Sequence, residues 1–525
     1  MKRILKKLLI YLAAVIAVLI LFVLVVLLYN IRDRHRGYSL DLHLPEQPEA
    51  APLRVGLSRI SITPDLPDRW IDADHNARYQ PDRGDSFIDG DGDNQFDAIW
   101  LAGFHQNRPA AGVHDPIWAR SVVWDNGQLC VALVSLDAIG LFHDDVIDIR
   151  NQLTQQLPAI DYVIIAATHN HEVPDLMGLW GPNPLQSGVN DDYLKWVRDR
   201  TVESVVEAYG KRRPARVELA RLDSTASDLV RDSRPPRVLD DELHLMLFRD
   251  IEADTVLGLM VNWGNHPETL ESRNLQITSD FCHYLRQGIE SGLRYPDRIV
   301  RRGIGGTAVF VNGAVGGLMT TIGAEIYDPW LDRTFKAPDF DKARAQGHRL
   351  ADLILDRVED GPWYELTEAE MELRVRTILL PVRNKYFLLG GALGIFHRGF
   401  VKLRQVRSEV GLLRIGPAYL LTIPGEINPE IVNGGVETPD GADYPGEPVE
   451  VPPLRDLLPG PHDFLIGLGN DEIGYIMPET HWDTEPPFTY GAKKPFYGEV
   501  NSLGPQTGPI IHRTAADLIR SMLEK

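Results

Sequence analysis

Two histidines lie two positions apart in a polar run that directly follows an apolar segment. The run reads Thr168-His169-Asn170-His171-Glu172-Val173-Pro174-Asp175, and the preceding residues Tyr162–Ala167 are predicted to form a strand. Residues i and i+2 of an extended chain point to the same side, so His169 and His171 are expected to project into one space. Taken alone, the pair is equally consistent with two metal ligands and with two hydrogen-bonded histidines.

Other apolar runs end in the same way, with His, Asn or Glu beside Gly or Pro. These ends are Asn265-His266-Pro267 after Val256–Val261, Asn312-Gly313 after Ala308–Val311, and Pro424-Gly425-Glu426 after Tyr419–Ile423. Open α/β sheets gather their chemistry beyond the carboxyl ends of strands, so we expect one shared cleft. Two histidines and a carboxylate suit a catalytic zinc, which takes nitrogen and oxygen ligands and keeps a position for water. Each residue also has an ordinary interpretation: His266 as a loop histidine and Glu426 as a helix cap.

The elements that must position these residues are of two alternating kinds. Strand-like runs are Leu129–Leu136, Tyr162–Ala167, Val256–Val261, Ala308–Val311 and Tyr419–Ile423, and helix-like runs are Asp191–Tyr209, Ala343–Val358 and Ala515–Leu523. The alternation predicts an α/β (mixed α+β) fold. No long linker interrupts residues 53–525, so we predict one large catalytic domain with its site at the strand ends.

The start of the chain is basic and then apolar. Residues 8–29 carry no charge, glycine or proline, and as a helix they measure about 33 Å, which is enough to cross a bilayer. The alternative is a cleaved signal peptide, but no small-x-small cleavage site follows. We predict a cytoplasmic segment 1–7, a transmembrane anchor 8–29 and a polar linker 30–52. The protein would be single-pass, with its body on the extracytoplasmic side.

Charge and cysteine content exclude several functions. The 525 residues have a formal net charge of −20, and without the basic first 36 residues the rest holds 47 cations and 73 anions, or −26. Such an acidic body would repel nucleic acid. Two cysteines exclude a disulfide scaffold and a cysteine-rich zinc cluster. Cys130 is expected to be buried and Cys282 to lie in a loop-like stretch, and their pairing is left open.

An acidic segment, 70–97, contains an internal duplication. Residues 70–79 (WIDADHNARY) are echoed by residues 87–97 (FIDGDGDNQFD). Asp89, Asp91, Asp93 and Asp97 fall at positions 1, 3, 5 and 9 of a calcium loop, and Asn94 falls where the loop turns sharply. Trp100 replaces the bidentate Glu of position 12. The segment is therefore predicted to bind calcium, with a solvated acidic loop as the alternative.

The ordered set of motifs resembles the neutral/alkaline non-lysosomal ceramidase family over roughly residues 53–520. The motifs are Gly56–Pro64 (GLSRISITP), Ala167–His171 (ATHNH), Asn265-His266-Pro267, Asn312–Gly316 (NGAVG), Pro424-Gly425-Glu426 and Gly469–Tyr475 (GNDEIGY). Each motif is short, but their order along the chain is specific to that family.

This resemblance implies a zinc-dependent amidase domain. In that family the zinc is held by residues that match His169, His266, Glu426 and Tyr475. The second histidine of the pair matches His171, which would contact the scissile carbonyl or relay a proton. A substrate-side arginine matches Arg234, and a further tyrosine matches Tyr497, with Tyr490 as the alternative.

The chain also departs from the family pattern. The family's Gly-Asp-x-Ser-Pro run, whose serine has been assigned a catalytic role, is replaced by Gly316-Gly317-Leu318-Met319-Thr320-Thr321. An early Asp is replaced by Ser61, and the chain leaves no room for the immunoglobulin-like domain that follows the catalytic domain in ceramidases. The zinc set is retained, whereas ceramide specificity does not follow.

Together these features predict a membrane-anchored zinc amidohydrolase that cleaves a C–N bond other than a peptide bond. The expected cofactors are zinc and, in the acidic segment, calcium. The expected partners are a lipid or small-molecule amide and the membrane, in keeping with a role in lipid or sphingolipid metabolism. The alternative is a catalytically silent, calcium-braced surface protein that binds lipid or sugar in the same cleft. The acyl chain and the amine are left open.

Overall fold

A computed structural model describes residues 2–524, and within them two large sheets form the body. Their strands are β1 (Asp41–Leu44), β2 (Arg54–Ser61), β3 (Trp118–Asp125), β4 (Cys130–Leu136), β5 (Tyr162–Ala167), β6 (Arg213–Leu222), β7 (Leu243–Asp250), β8 (Val256–Trp263), β9 (Thr307–Asn312), β10 (Tyr364–Leu366), β11 (Met371–Pro381), β12 (Gln405–Ile415), β13 (Ala418–Thr422) and β14 (Asp463–Ile466). The helices are α1 (Lys2–Asn30), α2 (His143–Gln156), α3 (Asp191–Gly210), α4 (Phe281–Ser291), α5 (Phe340–Asp360), α6 (Lys385–Leu393), α7 (Pro429–Asn433), α8 (Tyr497–Val500) and α9 (Thr507–Leu523).

The larger sheet has nine strands and the smaller one has five. The order in the first is β9-β8-β7-β6-β2-β3-β4-β5, with β10 beside β6, and the order in the second is β1-β11-β12-β13-β14. Parallel pairs are β4/β5 and β8/β9 in the large sheet and β13/β14 in the small one, and the other pairs are antiparallel. β5, β8 and β9 each belong to one of these parallel pairs, and the ends of all three lie close to the site.

Burial on both faces explains the apolar composition of these strands. In β4 (CVALVSL), Ala132, Val134 and Leu136 face the helices α2 to α5, while Val131 and Leu133 face the small sheet. The small sheet has its other face against α7 and α9. The result is one continuous domain of four layers, helices, sheet, sheet and helices, and it confirms the predicted mixed α/β class.

The predicted strands and helices are found with small shifts of their ends. Tyr162–Ala167 is matched residue for residue, whereas the last helix begins at Thr507 rather than Ala515. One expectation was wrong: Cys282 lies in the first turn of α4, not in a loop. Its side chain is buried there, and both Cys130 and Cys282 are free thiols.

The N-terminal helix α1 leaves the body. Among the described residues, Arg3–Asn30 is the one helix long and apolar enough to cross a membrane, and its most apolar 18 residues are not buried against the body. By length and composition it is a candidate span or signal sequence.

Residues 30–52, predicted as a linker, lie against the domain instead of standing free. β1 forms the edge of the small sheet by pairing with β11. Asp33 accepts two hydrogen bonds from Arg407, each of 2.9 Å. The polar composition suggested a linker because edge strands and ion-paired segments carry the same residues as linkers do.

Candidate metal centre

The first histidine of the site lies just beyond β5. His169 adopts φ 61°, a left-handed conformation that is uncommon for a residue with a side chain. Its Nδ1 lies 2.7 Å from the carbonyl oxygen of Ile139. Because a carbonyl only accepts, Nδ1 carries the hydrogen and Nε2 presents its lone pair to the site.

The second histidine of the candidate metal centre is His266, which follows β8. A backbone carbonyl orients its ring, as at His169. His266 Nδ1 lies 2.6 Å from the carbonyl oxygen of Met319. The side-chain amide of Asn312, at the end of β9, donates to the carbonyls of Thr168 and Asn265, each at 2.9 Å. This amide ties together the ends of three strands, so the two imidazoles are held by backbone and not by each other.

The carboxylate comes from the other sheet. Glu426 follows β13, and Glu426–Ile427 pairs in parallel with Tyr475–Ile476, which places Glu426 opposite Tyr475. Glu426 Oε2 lies 3.3 Å from His169 Nε2 and 3.2 Å from His266 Nε2. The Tyr475 phenol is buried beside this carboxylate, and burial together with the Glu426 charge raises its pKa well above the ordinary value.

This donor set fits a zinc ion. Two imidazole nitrogens and a carboxylate oxygen converge on one point, where they would repel unless a proton or a metal ion lies among them. In a tetrahedral zinc site with bonds of about 2.0–2.1 Å, neighbouring ligand atoms are about 3.3 Å apart, which matches the spacing here. The residues that would hold the ion are His169, His266, Glu426 and Tyr475.

His171 lies beside this cluster, and its role is distinct. Its ring centre is 5.0 Å from that of His169 and 5.6 Å from that of His266, and the ligand atoms of the three rings all lie within 4.8 Å of one another. The three histidines could therefore also hold a metal ion as a group. His171 Nδ1 lies 3.3 Å from Glu268 Oε2, and neither ring nitrogen has a hydrogen-bond partner among the described residues.

Glu268 was missed by the sequence analysis. It is buried, and its other oxygen, Oε1, accepts a hydrogen bond of 2.5 Å from the Thr320 hydroxyl. Burial raises the pKa of Glu268, with His266 and Thr320 opposing the shift. The available signal was an acid two residues after His266, in the same run. Thr320 and Met319 belong to the segment that replaces the family's Gly-Asp-x-Ser run, and here that segment orients His266 and Glu268.

The surroundings of the cluster shift the pKa values of Glu426 and His171. Burial would raise the pKa of Glu426, but the adjacent His169 and His266 hold it well below its usual range. Burial lowers the pKa of His171 well below its usual value, and His169 and His266 lower it further. The protein therefore holds an anionic carboxylate next to a neutral third imidazole, an arrangement suited to a cation at the carboxylate.

His169 and His171 lie close together, as predicted, but the backbone that brings them together is bent and not extended. The strand ends at Ala167, and the positive φ of His169 turns the chain. Arg108 then holds the turn by donating a hydrogen bond of 2.5 Å to the carbonyl oxygen of His171. The rings meet because the chain bends there, and not because the two residues alternate along an extended strand.

An apolar cavity opens from the cluster. His169, His171, Glu426, Tyr475 and Tyr497 lie at one end, and its other walls are mainly aliphatic and aromatic. These other residues include Phe142, Met177, Trp180, Phe387, Phe396, Phe400 and Leu503. Tyr497 is half-exposed and stands edge-on to Tyr475, with ring centres 5.9 Å apart.

Arg234 lies outside this cavity. Its guanidinium donates to both oxygens of Glu499, at 2.9 and 2.7 Å, and to the carbonyl oxygen of His481 at 3.0 Å. Gly498 lies between it and Tyr475, close to both. Arg234 therefore braces the start of α8, which carries Tyr497, and a direct role on substrate stays a prediction. Tyr490 hydrogen-bonds Glu437 at 2.6 Å and does not line the cavity.

The acidic segment forms a separate lobe with internal symmetry. Arg69–Ile71 pairs antiparallel with Ser86–Ile88, and Trp70 lies opposite Phe87, its counterpart in the duplication. Three groups of carboxylates are close enough to hold an ion: Asp68 with Asp89 and Asp91; Asp72 with Asp74 and Asp85; and Asp91 with Asp93 and Asp97.

These carboxylates already have partners in their own loops. Asp89 accepts hydrogen bonds from the backbone N–H groups of Gly92 (2.6 Å) and Asn94 (3.0 Å). Asn94 has φ 63°, as its position in the sharp turn predicted. Calcium binding here stays a prediction, since the loop satisfies its acids without an ion.

The fold is similar to that of solved ceramidase structures. The neutral ceramidase of Pseudomonas aeruginosa aligns with a TM-score of 0.63 and 16% sequence identity, over 90% of this chain and 75% of the ceramidase chain. A ceramidase complexed with C2 aligns with a TM-score of 0.62 and 16% identity, over 90% of this chain and 76% of that one. No family model matches the sequence, and no curated protein matches it. At this level of identity the alignments show the shared fold.

Proposed function

We propose that this protein is a membrane-anchored, zinc-dependent amidohydrolase that cleaves the acyl–nitrogen bond of a lipid amide. The observation that carries the proposal is the convergence of His169 Nε2 and His266 Nε2 on Glu426 Oε2 at the end of an apolar cavity. The similarity of the fold to solved ceramidases supports it, since a ceramidase cleaves an amide bond.

Zinc held by His169, His266, Glu426 and Tyr475 would supply a Lewis acid for the carbonyl and would lower the pKa of water toward neutrality. Hydrolysis consumes one water: its oxygen and one hydrogen end in the released fatty acid, and its other hydrogen ends as a proton on the leaving amine. His171 is positioned to carry that proton. Its Nδ1 faces the Glu268 carboxylate, which favours hydrogen on Nδ1 and leaves Nε2 free to accept and return a proton.

The cavity contributes by excluding water and by recognising a chain. Phe142, Phe396 and Phe400 form part of a wall that suits an acyl or alkyl chain better than a polar group. Tyr497 stands at the polar end, where its hydroxyl could hydrogen-bond the substrate carbonyl or amine. Arg234, through Glu499, keeps the α8 segment that carries Tyr497 in place.

The location follows from the N-terminal helix. We place α1 in the membrane, residues 1–7 in the cytoplasm and the body outside the cell or in an equivalent compartment, because four cations precede the apolar run. An anchored body suits a lipid substrate, which is itself confined to a membrane.

The test uses the full chain in detergent or nanodiscs. Metal is removed with a chelator, zinc is added back, and fatty-acid release is measured from a panel of N-acyl lipids that includes short-chain and long-chain ceramides. We expect release to require zinc. A protein that binds a full equivalent of zinc yet hydrolyses none of the panel would favour the silent surface-binding alternative, to which the missing Gly-Asp-x-Ser run points.

A further inference from the structure

Helix α6 exposes an apolar face. Tyr386, Leu389 and Leu393 lie at positions i, i+3 and i+7, which is one side of a helix, and they are 76%, 56% and 45% exposed. The helix carries no acidic residue and one cation, Lys385. Soluble surfaces seldom leave such a stripe uncovered, and a helix with this pattern commonly lies at a membrane surface.

The fold places α6 where α1 meets the body. Asn30 is the last residue of α1. Its side-chain amide donates a hydrogen bond of 2.9 Å to the carbonyl oxygen of Ala392 near the end of α6. A side chain at Gly394 would collide with the same amide. The apolar run of α1 ends at Tyr29, so if α1 spans a bilayer, the membrane surface lies at the level of α6.

The residues around α6 are basic in an otherwise acidic body. Residues 382–408 contain six cations and no anion, although the whole chain has a net charge of −20. Arg398 and Arg407 are buried in ion pairs with Asp471 and Asp33. The other four cations are exposed: Arg383, Lys385, Lys402 and Arg404. A basic rim around an apolar stripe complements an anionic bilayer.

The inner face of the same segment forms a wall of the cavity. Phe387 of α6 lines the cavity together with Phe396, which lies three residues after the end of the helix. Gly390 and Gly391 allow the rings of Phe396 and Phe400 to lie directly against α6. One short helix therefore separates the apolar cavity from the exposed apolar stripe.

From these contacts we infer that the outer face of α6 and its exposed cations dock on the anionic bilayer that α1 spans. Docking places the α6 wall of the cavity against lipid, so that the substrate is drawn from that same bilayer and not from solution. The nature of the substrate rests on the proposed function, whereas the docking itself does not.

The test is site-directed spin labelling of the full chain in vesicles of phosphatidylcholine and phosphatidylserine. Cys130 and Cys282 are buried, and burial raises the thiol pKa of Cys130 to about 12 and that of Cys282 further, so an introduced surface cysteine reacts selectively. Leu389→Cys is compared with Ile251→Cys, which is 46% exposed in the turn between β7 and β8, at the end of the sheet away from His266.

We expect the Leu389→Cys label to be severalfold more accessible to oxygen and severalfold less accessible to a water-soluble nickel complex than the Ile251→Cys label. Equal nickel accessibility at the two positions would overturn the inference. So would spin–spin coupling between molecules at Leu389→Cys, since that outcome identifies a second copy of the chain as the occupant of the face.

A functional measurement separates this inference from the proposed function. Leu389→Glu is expected to lower hydrolysis of a vesicle-embedded long-chain amide about tenfold relative to hydrolysis of a water-soluble short-chain amide, because the apolar contact with lipid is lost. An unchanged ratio would contradict the uptake of substrate from the bilayer. Absence of activity in the wild type would contradict the hydrolase proposal, while the spin-label result would still decide the docking.

Discussion

The histidine cluster and the acidic lobe both gather metal-type ligands, but they differ in how those ligands are satisfied. At the cluster, backbone carbonyls fix His169 and His266 so that their lone pairs face the Glu426 oxygen. In the lobe, Asp89 and its neighbours accept hydrogen bonds from their own loop. The cluster also lies in the interior, whereas most of the lobe is exposed.

The difference shows which groups of metal-type ligands indicate a bound metal ion. Buried acceptors that converge without backbone donors are unstable unless a proton or a metal ion lies among them, because neither water nor backbone N–H groups offset the repulsion. Exposed carboxylates with backbone donors have no such requirement. The expected dependence on metal is therefore strong at the cluster and weak at the lobe.

The largest effect is expected for His169→Ala. Loss of one of two imidazole ligands should abolish zinc binding and reduce hydrolysis to background, because the remaining donors do not complete the ligand set. Zinc content by elemental analysis and fatty-acid release by the purified full chain measure both outcomes. His512→Ala is the matched control: it removes a buried histidine of α9, where Nε2 lies 2.8 Å from the Pro452 carbonyl oxygen. A His169→Ala protein that keeps a full equivalent of zinc would refute the ligand assignment.

His171→Ala is expected to separate binding from turnover. If His171 relays a proton and is not a ligand, the variant should keep its zinc and lose roughly 10²–10⁴-fold in kcat. Loss of zinc together with activity would instead make His171 a third histidine ligand, as the spacing of the three rings permits. Full activity in this variant would remove His171 from the mechanism.

Glu268→Gln is expected to have a smaller effect of the same kind. The amide keeps the size of the side chain and a hydrogen bond to Thr320, but it loses the charge that faces His171 Nδ1. We expect kcat to fall about 10- to 100-fold with KM and zinc content nearly unchanged. A rise in KM alone would show that Glu268 shapes the substrate site and does not orient His171.

These residues also show how far a sequence predicts this site. Strand ends were predictable because long apolar runs such as Tyr162–Ala167 stop at polar residues, and the family motifs then implied the zinc set. Glu268 was not predictable, since its contact with His171 depends on a turn at His169 that no local pattern specifies. The role of residues 386–396 as a wall of the cavity was not predictable either, because it depends on the tertiary packing of Phe396 and Phe400 against α6.

The smallest effect is expected in the acidic lobe. If calcium binds there at about one hundred times its dissociation constant, it adds about 2.7 kcal/mol of stability. For a domain of this size that corresponds to a rise in Tm of about 3 °C. The measurement is the Tm of zinc-loaded full chain before and after calcium is added, with magnesium as the control ion.

Variants decide whether such a rise comes from the lobe. Asp89→Asn should abolish the calcium response, because Asp89 lies within reach of Asp68 and Asp91. Asp297→Asn removes an exposed carboxylate in the hairpin between α4 and β9 and should leave the response intact. If calcium does not raise the Tm of the wild type, the lobe is an acidic loop stabilised by its own backbone hydrogen bonds. The lobe would then not depend on metal, in contrast to the histidine cluster. A rise well above 3 °C would instead show that the two regions depend on metal to a similar degree, because the backbone donors of the lobe would then not be sufficient to hold its acids together.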